Sequence, residues 1–335
     1  MYWQTLVLSI VLFSIALLTR WYNPGTTLTP GPITNTSSAE NDYSFVIPEA
    51  PDLDAPQSWT LSDEPILRGI TNVSSIVYPD GTIALYYVQD GNIYRRTSQD
   101  GVEFGDPEST GISEDTSIPF DRRPEIHNPA VLQISSEYFI MVYELSPRQK
   151  IEVPQIDQPR AFYVAFSSDG LRFSQHGKIV DGARNDAGLL SSPDLLLLPN
   201  GNLRMVYESQ GDRIVSMLSE NVGQDWIWEG ERIAATVYDP ALHYLGEDYI
   251  LYYAAPRSDI SQDGNIVQSL AIFQAESSDG LTFTKTNQAV LLGPNNRSIR
   301  QPEVITQSDG SVRMYVEVLR EGTTDVYDLY TALGK

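Results

Sequence analysis

Glu125, His127 and Asn128 in "PEIHNPAV", Asp194 in "SSPDLL", Asp239 in "YDPAL", and Arg300 and Glu303 in "IRQPEV" share one context. Each group lies beside a proline at the opening of an apolar run. Gathered in one pocket, they would supply carboxyls that give and take protons, polar groups that bind a substrate, and a guanidinium that orients it. Asn128 stands apart, because an amide cannot act as a general base. His127 and His243 are separated by an irregular gap without metal-ligand spacing, so they read as structural imidazoles. No cofactor or metal is implied. Whether these groups meet depends on the elements that carry them.

Those elements repeat. "SSDGLRF" at Ser167 returns as "SSDGLTF" at Ser277, with a weaker copy, "TSQDGVEF", at Thr97 and a variant, "SENVGQDW", at Ser219. Before these copies lie two apolar runs joined by a turn. The second runs align as "IALYY" ending at Tyr87, "FIMVY" at Tyr143, "LRMVY" at Tyr207, "ILYY" at Tyr253 and "VRMYV" at Val316. Asp80-Gly81, Asn200-Gly201 and Asp309-Gly310 precede three of them and are hairpin signals. One unit therefore reads strand A, tight turn, strand B, loop, strand C, "DG" turn, strand D, and it occurs five times. Near-continuous apolar strands imply that both sheet faces are covered, as in stacked propeller blades. The fifth unit lacks strand D, and "SWTLSDEPILRG" (58–69) resembles one. The expected fold is all-β, a five-bladed propeller closed by that N-terminal strand, which removes the free edges. The "SSDG" segments are expected to be structural turns, with Ser and Asp bonding backbone groups and Gly taking positive φ.

A four-stranded meander sends the D-to-A and B-to-C connections to one end and the short turns to the other. The long segments 105–127, 145–160, 180–191, 255–266, 292–300 and 318–324 share the first end, and function tends to sit in loops on a rigid scaffold. The starts of the innermost A strands open on the same end. Glu125, His127, Asn128, Ser192, Asp194, Asp239, Arg300 and Glu303 are accordingly expected at its axial mouth. Glu144 and Glu208 end B strands, farther from the axis, and are expected to be solvated.

The chain has 44 acidic against 22 basic residues, a net charge of −22, which argues against nucleic-acid binding. It has no cysteine, which excludes disulfides, thiolate chemistry and zinc–thiolate sites. Tyr2 to Leu18 is a charge-free apolar run followed by Arg20, Trp21 and Tyr22, read as an uncleaved membrane-spanning signal-anchor over residues 1–22. A Pro/Thr/Ser-rich linker follows over 23–57, and the propeller covers 58–335. The propeller is expected to be membrane-anchored outside the cytoplasm, or secreted if the apolar run is cleaved.

Five blades with "DP" at an inner strand and "SSDGxxF" turns resemble the five-bladed glycosidases of the arabinanase, levansucrase and invertase superfamily over residues 58–335. The resemblance implies a carbohydrate substrate and three inner-strand carboxylates. Asp239 would then be the stabilising aspartate and Glu303 the acid, with Arg300 orienting substrate. The position two blades before Asp239, where a base is implied, carries Asn128. Glu125 or Asp194 would have to replace it, phosphate held by Arg122, Arg123 and Arg300 would attack instead, or the propeller would bind a carbohydrate or a protein without catalysis. "SENVGQDW" also resembles the Asp box of sialidases, which implies a carboxylate-binding trio such as Arg68, Arg123 and Arg300, although those enzymes have six blades.

Overall fold

The computed structural model describes residues 55–56, 58–148, 160–186, 189–260 and 266–335. Its strands form five antiparallel sheets, each a meander. Blade 1 holds β3 (Thr71–Val77), β4 (Ile83–Gln89), β5 (Asn92–Ser98) and β6 (Glu108–Ser113). Blade 2 holds β7 (Glu125–Ser135), β8 (Tyr138–Ser146), β9 (Ala161–Ser167) and β10 (Ser174–Asp181). Blade 3 holds β11 (Ser191–Leu197), β12 (Leu203–Ser209), β13 (Arg213–Ser219) and β14 (Ile227–Ala234). Blade 4 holds β15 (Tyr238–Leu245), β16 (Asp248–Ile260), β17 (Ile266–Ser277) and β18 (Thr284–Lys285). Blade 5 holds β19 (Ile299–Thr306), β20 (Val312–Leu319) and β21 (Tyr327–Gly334), and is completed by β1 (Trp59–Leu61) and β2 (Leu67–Arg68), which both pair with β21. The closing strand read from the sequence is thus in place.

Trp59 pairs with Gly334, so the chain enters β1 at the end of the tight turns, opposite the axial mouth. The expected anchor (1–22) lies outside the described residues, as does the linker (23–57) apart from Ala55 and Pro56. Among the described residues, no helix is long and apolar enough to cross a membrane.

Each core lies between two neighbouring blades. One joins Ala84, Tyr86 and Ile93 of blade 1 to Met141, Tyr143 and Ala165 of blade 2, and another joins Tyr87 of blade 1 to Tyr315 and Leu329 of blade 5. Strands buried on both faces explain the unbroken apolar runs: Ile83 through Tyr87 are all buried. The repeated turn stitches blades together. Ser167 Oγ donates to Asp169 Oδ1, which accepts the amides of Leu171 and Arg172 at 2.8 Å. The Ser277–Thr282 and Ser98–Glu103 turns use the same bonds. The glycine carbonyl of each turn then accepts from the B strand of the preceding blade: Gly170 O from Tyr86, Gly101 O from Tyr315 and Gly280 O from Arg204.

Gly170 has φ +67°, and a Cβ there would lie 2.5 Å from Tyr78 Oη and 3.0 Å from Phe139. Gly170→Ala combines left-handed strain with overpacking, so a loss of about 2 kcal/mol or more is expected in chemical denaturation. A change below a few tenths of a kcal/mol would contradict the stitching role.

One expected loop is instead strand. Within 255–266, residues 255–260 extend β16 and lengthen the B–C hairpin of blade 4, where Ala255, Pro256, Arg257 and Ser258 pair with Ala271, Leu270, Ser269 and Gln268.

Candidate active site at the axial mouth

Every A strand carries the same irregularity where it opens. The register slips between Thr71 and Ser74, His127 and Ala130, Ser191 and Asp194, Tyr238 and Ala241, and Arg300 and Glu303. At each bulge one residue takes positive φ: Asn72 (56°), Asn128 (45°), Ser192 (50°), Asp239 (50°) and Gln301 (47°). Left-handed backbone is uncommon for Ser and Gln, and five such residues at one structural position mark a constrained site. Together they line an axial cavity of about 30 Å³, room for a water and not for a sugar, so the ring is a floor.

The ring's amides are largely spent on each other. Gln301 Nε2 donates to Asn128 Oδ1 at 2.9 Å, and Gln301 Oε1 accepts from Asn72 N and Nδ2 at 3.1 Å. Asn128 Nδ2 donates to Glu144 Oε2 at 2.8 Å. Asp239 is the one carboxylate among the five ring residues, and its Oδ1 accepts from Ser192 Oγ at 2.8 Å.

A second tier of carboxyls backs the ring: Glu144, Glu208 and Glu317, at equivalent B-strand ends. They pair across to His127, Ser191 and Arg300, the residues just before ring positions. The expectation that Glu144 and Glu208 are solvated is corrected here. Glu144 is 1% exposed, accepts from Ser191 Oγ at 2.8 Å and faces Arg160 at 3.5 Å, and Glu208 is half-buried. Glu317 is fully buried, accepts from Asn72 N and from Arg300 Nε at 3.0 Å, and received no role from the sequence. Arg300 also stacks on Tyr327, 3.8 Å from the ring centroid.

Burial, reinforced by the neighbouring charge of Asp239, pushes Glu208 up to about 8. Burial raises Asp239 too, but Arg300 and hydrogen bonds from Ser192 and Gln301 oppose the rise. Within this adjacent pair, the charge of Asp239 adds to burial in keeping the proton on Glu208.

Glu303 and Asp194 sit a layer below. Both line the axial cavity and also a cavity of about 700 Å³ at the opposite end. Glu303 Oε1 accepts from Ser75 N at 2.6 Å and Oγ at 3.0 Å, while Asp194 accepts from Leu195 N and Leu242 N. Burial and the charge of Asp194 raise Glu303 far above the ordinary carboxyl range, and burial takes Asp194 to about 7. His243, bonded to Thr306 Oγ1 at 2.9 Å in the lower part of the shaft, is held down to about 4 by burial.

Glu125 and His127 are half-exposed, 3.6 Å apart at Oε2–Nε2, with Arg148 on Glu125 at 3.1 Å. The anion-binding trios do not assemble. Arg123 is turned to Glu114 and Arg300 to Glu317, while Arg68 is exposed on β2 beside Glu64 and Arg122 is exposed. The sialidase reading therefore loses its arginine trio, and the five sheets differ from the six blades of those enzymes.

Raised carboxyls reverse the usual response of stability to pH. Unfolded Asp and Glu titrate near 4, so what Glu208, Glu317 (about 7) and Asp194 contribute is complete below that value and is lost as pH rises toward 8. The turn aspartates Asp100, Asp169 and Asp279 are lowered by backbone hydrogen bonds, so their contribution fails only in stronger acid. The melting temperature is expected to peak near about pH 5 and to fall by about 5 °C or more by about pH 8.5. A flat profile over that span would contradict the burial of these carboxyls.

No protein-family model and no curated protein matches this sequence. Solved structures match closely in fold. An endo-arabinase from Bacteroides thetaiotaomicron superposes with a TM-score of 0.58 at 14% identity, over 81% of this chain and 96% of that one. An α-L-arabinofuranosidase from Lactobacillus brevis gives 0.59 at 11% identity, over 81% and 92%. A xylan β-1,4-xylosidase from Bacillus halodurans gives 0.58 at 13%, over 81% and 53%. At such identities the likeness establishes architecture: the protein shares the five-bladed propeller of the family-43 glycoside hydrolases.

Proposed function

We propose that the axial mouth cleaves a glycosidic bond, with Glu208 as proton donor and Asp239 as the carboxylate facing the anomeric carbon. The observation that carries this reading is the adjacent pair in opposed environments, one carboxyl held protonated and the other compensated by Arg300, Ser192 and Gln301. As the glycosidic C–O bond breaks, Glu208 protonates the leaving oxygen and Asp239 stabilises the positive charge developing on the sugar. Water then adds its oxygen to the anomeric carbon and returns a proton to Glu208. This assignment moves the acid from Glu303, which lies beneath the ring on Ser75, to Glu208.

The fold's likeness to arabinan- and xylan-cleaving enzymes makes arabino- and xylo-oligosaccharides and their aryl glycosides the first panel, incubated with the full chain and resolved by chromatography. Release of sugar, lost in Asp239→Asn, is expected, and release only with phosphate present would make phosphate the attacking group. No release by folded protein would leave the second reading, a carbohydrate-binding propeller, which the amide of Asn128 in the ring favours. The apolar run 2–18 supports an extracytoplasmic, tethered location, tested by cell fractionation.

A further inference from the structure

The mouth face carries a second cavity that this mechanism leaves unused. A cleft of about 430 Å³ opens between blades 1 and 2 and is lined by Phe120, Arg123, Glu125, His127 and Arg148, and by Asn72. Asn72 also belongs to the axial ring, so the two cavities share a wall. The volume falls within the range of small-molecule sites. Phe120, on the 3-10 turn Phe120–Arg122, is 66% exposed, which is unusual for an aromatic ring of its size. It is not loose: the Arg148 guanidinium lies 3.9 Å from its centroid, backing one face. Arg148 is itself fixed by Glu114 at 2.8 Å and Glu125 at 3.1 Å, and Arg123 reaches Glu114 at 3.8 Å.

The lining is therefore a rigid aromatic surface beside fixed hydrogen-bonding groups. Its formal charges run three acidic (Asp90, Glu114, Glu125) to two basic (Arg123, Arg148), which disfavours an anion and leaves neutral hydroxyls as partners. An apolar C–H face with a rim of hydroxyls is the shape of a sugar ring.

We propose that this cavity is a glycosyl-binding subsite continuous with the axial mouth, so that the substrate is a neutral oligosaccharide reaching from Glu208 and Asp239 to Phe120. The proposal rests on the carbohydrate reading of the mouth. It is tested with the full chain carrying Glu208→Gln, titrated by calorimetry with arabino- and xylo-saccharides from mono- to tetrasaccharide. Affinity for one series is expected to rise about ten- to a hundredfold with length. Phe120→Ala should abolish that gain, while Phe120→Tyr retains it. Affinity independent of length, or a gain that survives Phe120→Ala, overturns the subsite and leaves the mouth standing. Binding of no saccharide by folded protein overturns both.

Discussion

Glu208→Gln is expected to lower kcat/KM on an unactivated oligosaccharide by about 10²–10⁴-fold, the usual contribution of general acid catalysis. Gln fills the same half-buried space at the end of β12 and still accepts a hydrogen bond from the Asp239 amide, but it has no proton to give. The loss should shrink with an aryl leaving group, which departs without protonation. Glu303→Gln provides the contrast. Glu303 is bonded to Ser75 beneath the ring floor, so replacing its carboxyl with an amide should spare the chemistry and leave rates within several-fold of the parent. Initial rates on both substrate types separate the two residues. If Glu303→Gln were the silent variant and Glu208→Gln the active one, the assignment would be reversed.

Glu317→Ala should carry the largest stability cost at the mouth. The side chain is fully buried at the end of β20, where it accepts the Asn72 amide and pairs with Arg300 at 3.0 Å. Truncation leaves the Asn72 amide only its longer bond to Gln301 Oε1 and strips the Arg300 guanidinium of its Glu317 partner. Breaking one side of a buried pair costs about 3 kcal/mol or more, a drop of roughly 6–12 °C in melting temperature for a domain of this size. Glu317→Gln, which keeps an acceptor for Asn72, should lose markedly less. A melting temperature unchanged in Glu317→Ala would mean that the second tier does not hold the ring.

The blades were legible because their signals are local. Asp-Gly and Asn-Gly hairpins, doubly apolar strands and the "SSDG" turns each act within a few residues. Strand pairing then left only the N-terminal segment to close blade 5. The mouth was legible in outline, since proline-opened A strands placed Asn128, Ser192, Asp239 and Arg300 around it. Depth along the strand was not. Glu303 lies two residues past ring position Gln301, roughly 7 Å farther down the shaft, and Asp194 stands in the same relation to Ser192. The reach of the B strands was missed for a different reason. A residue ending strand B pairs with the one that opens strand A, so the carboxyl of Glu208 arrives beside the next blade's ring residue. The aligned runs held that signal: the position after the B-strand core is Val88, Glu144, Glu208, Ala254 and Glu317, acidic in three blades of five. The positive φ of the ring residues has no comparable trace in Ser192 or Gln301.

The most direct test of Glu208 as a protonated acid at the mouth is the dependence of kcat/KM on pH, measured with the full chain and the best oligosaccharide of the panel. Activity should fall tenfold per pH unit above about 8, the value to which burial and Asp239 push Glu208, and Glu208→Gln should lose that limb. A profile that breaks near the ordinary glutamate value of about 4, or an alkaline limb that survives in Glu208→Gln, would contradict the account.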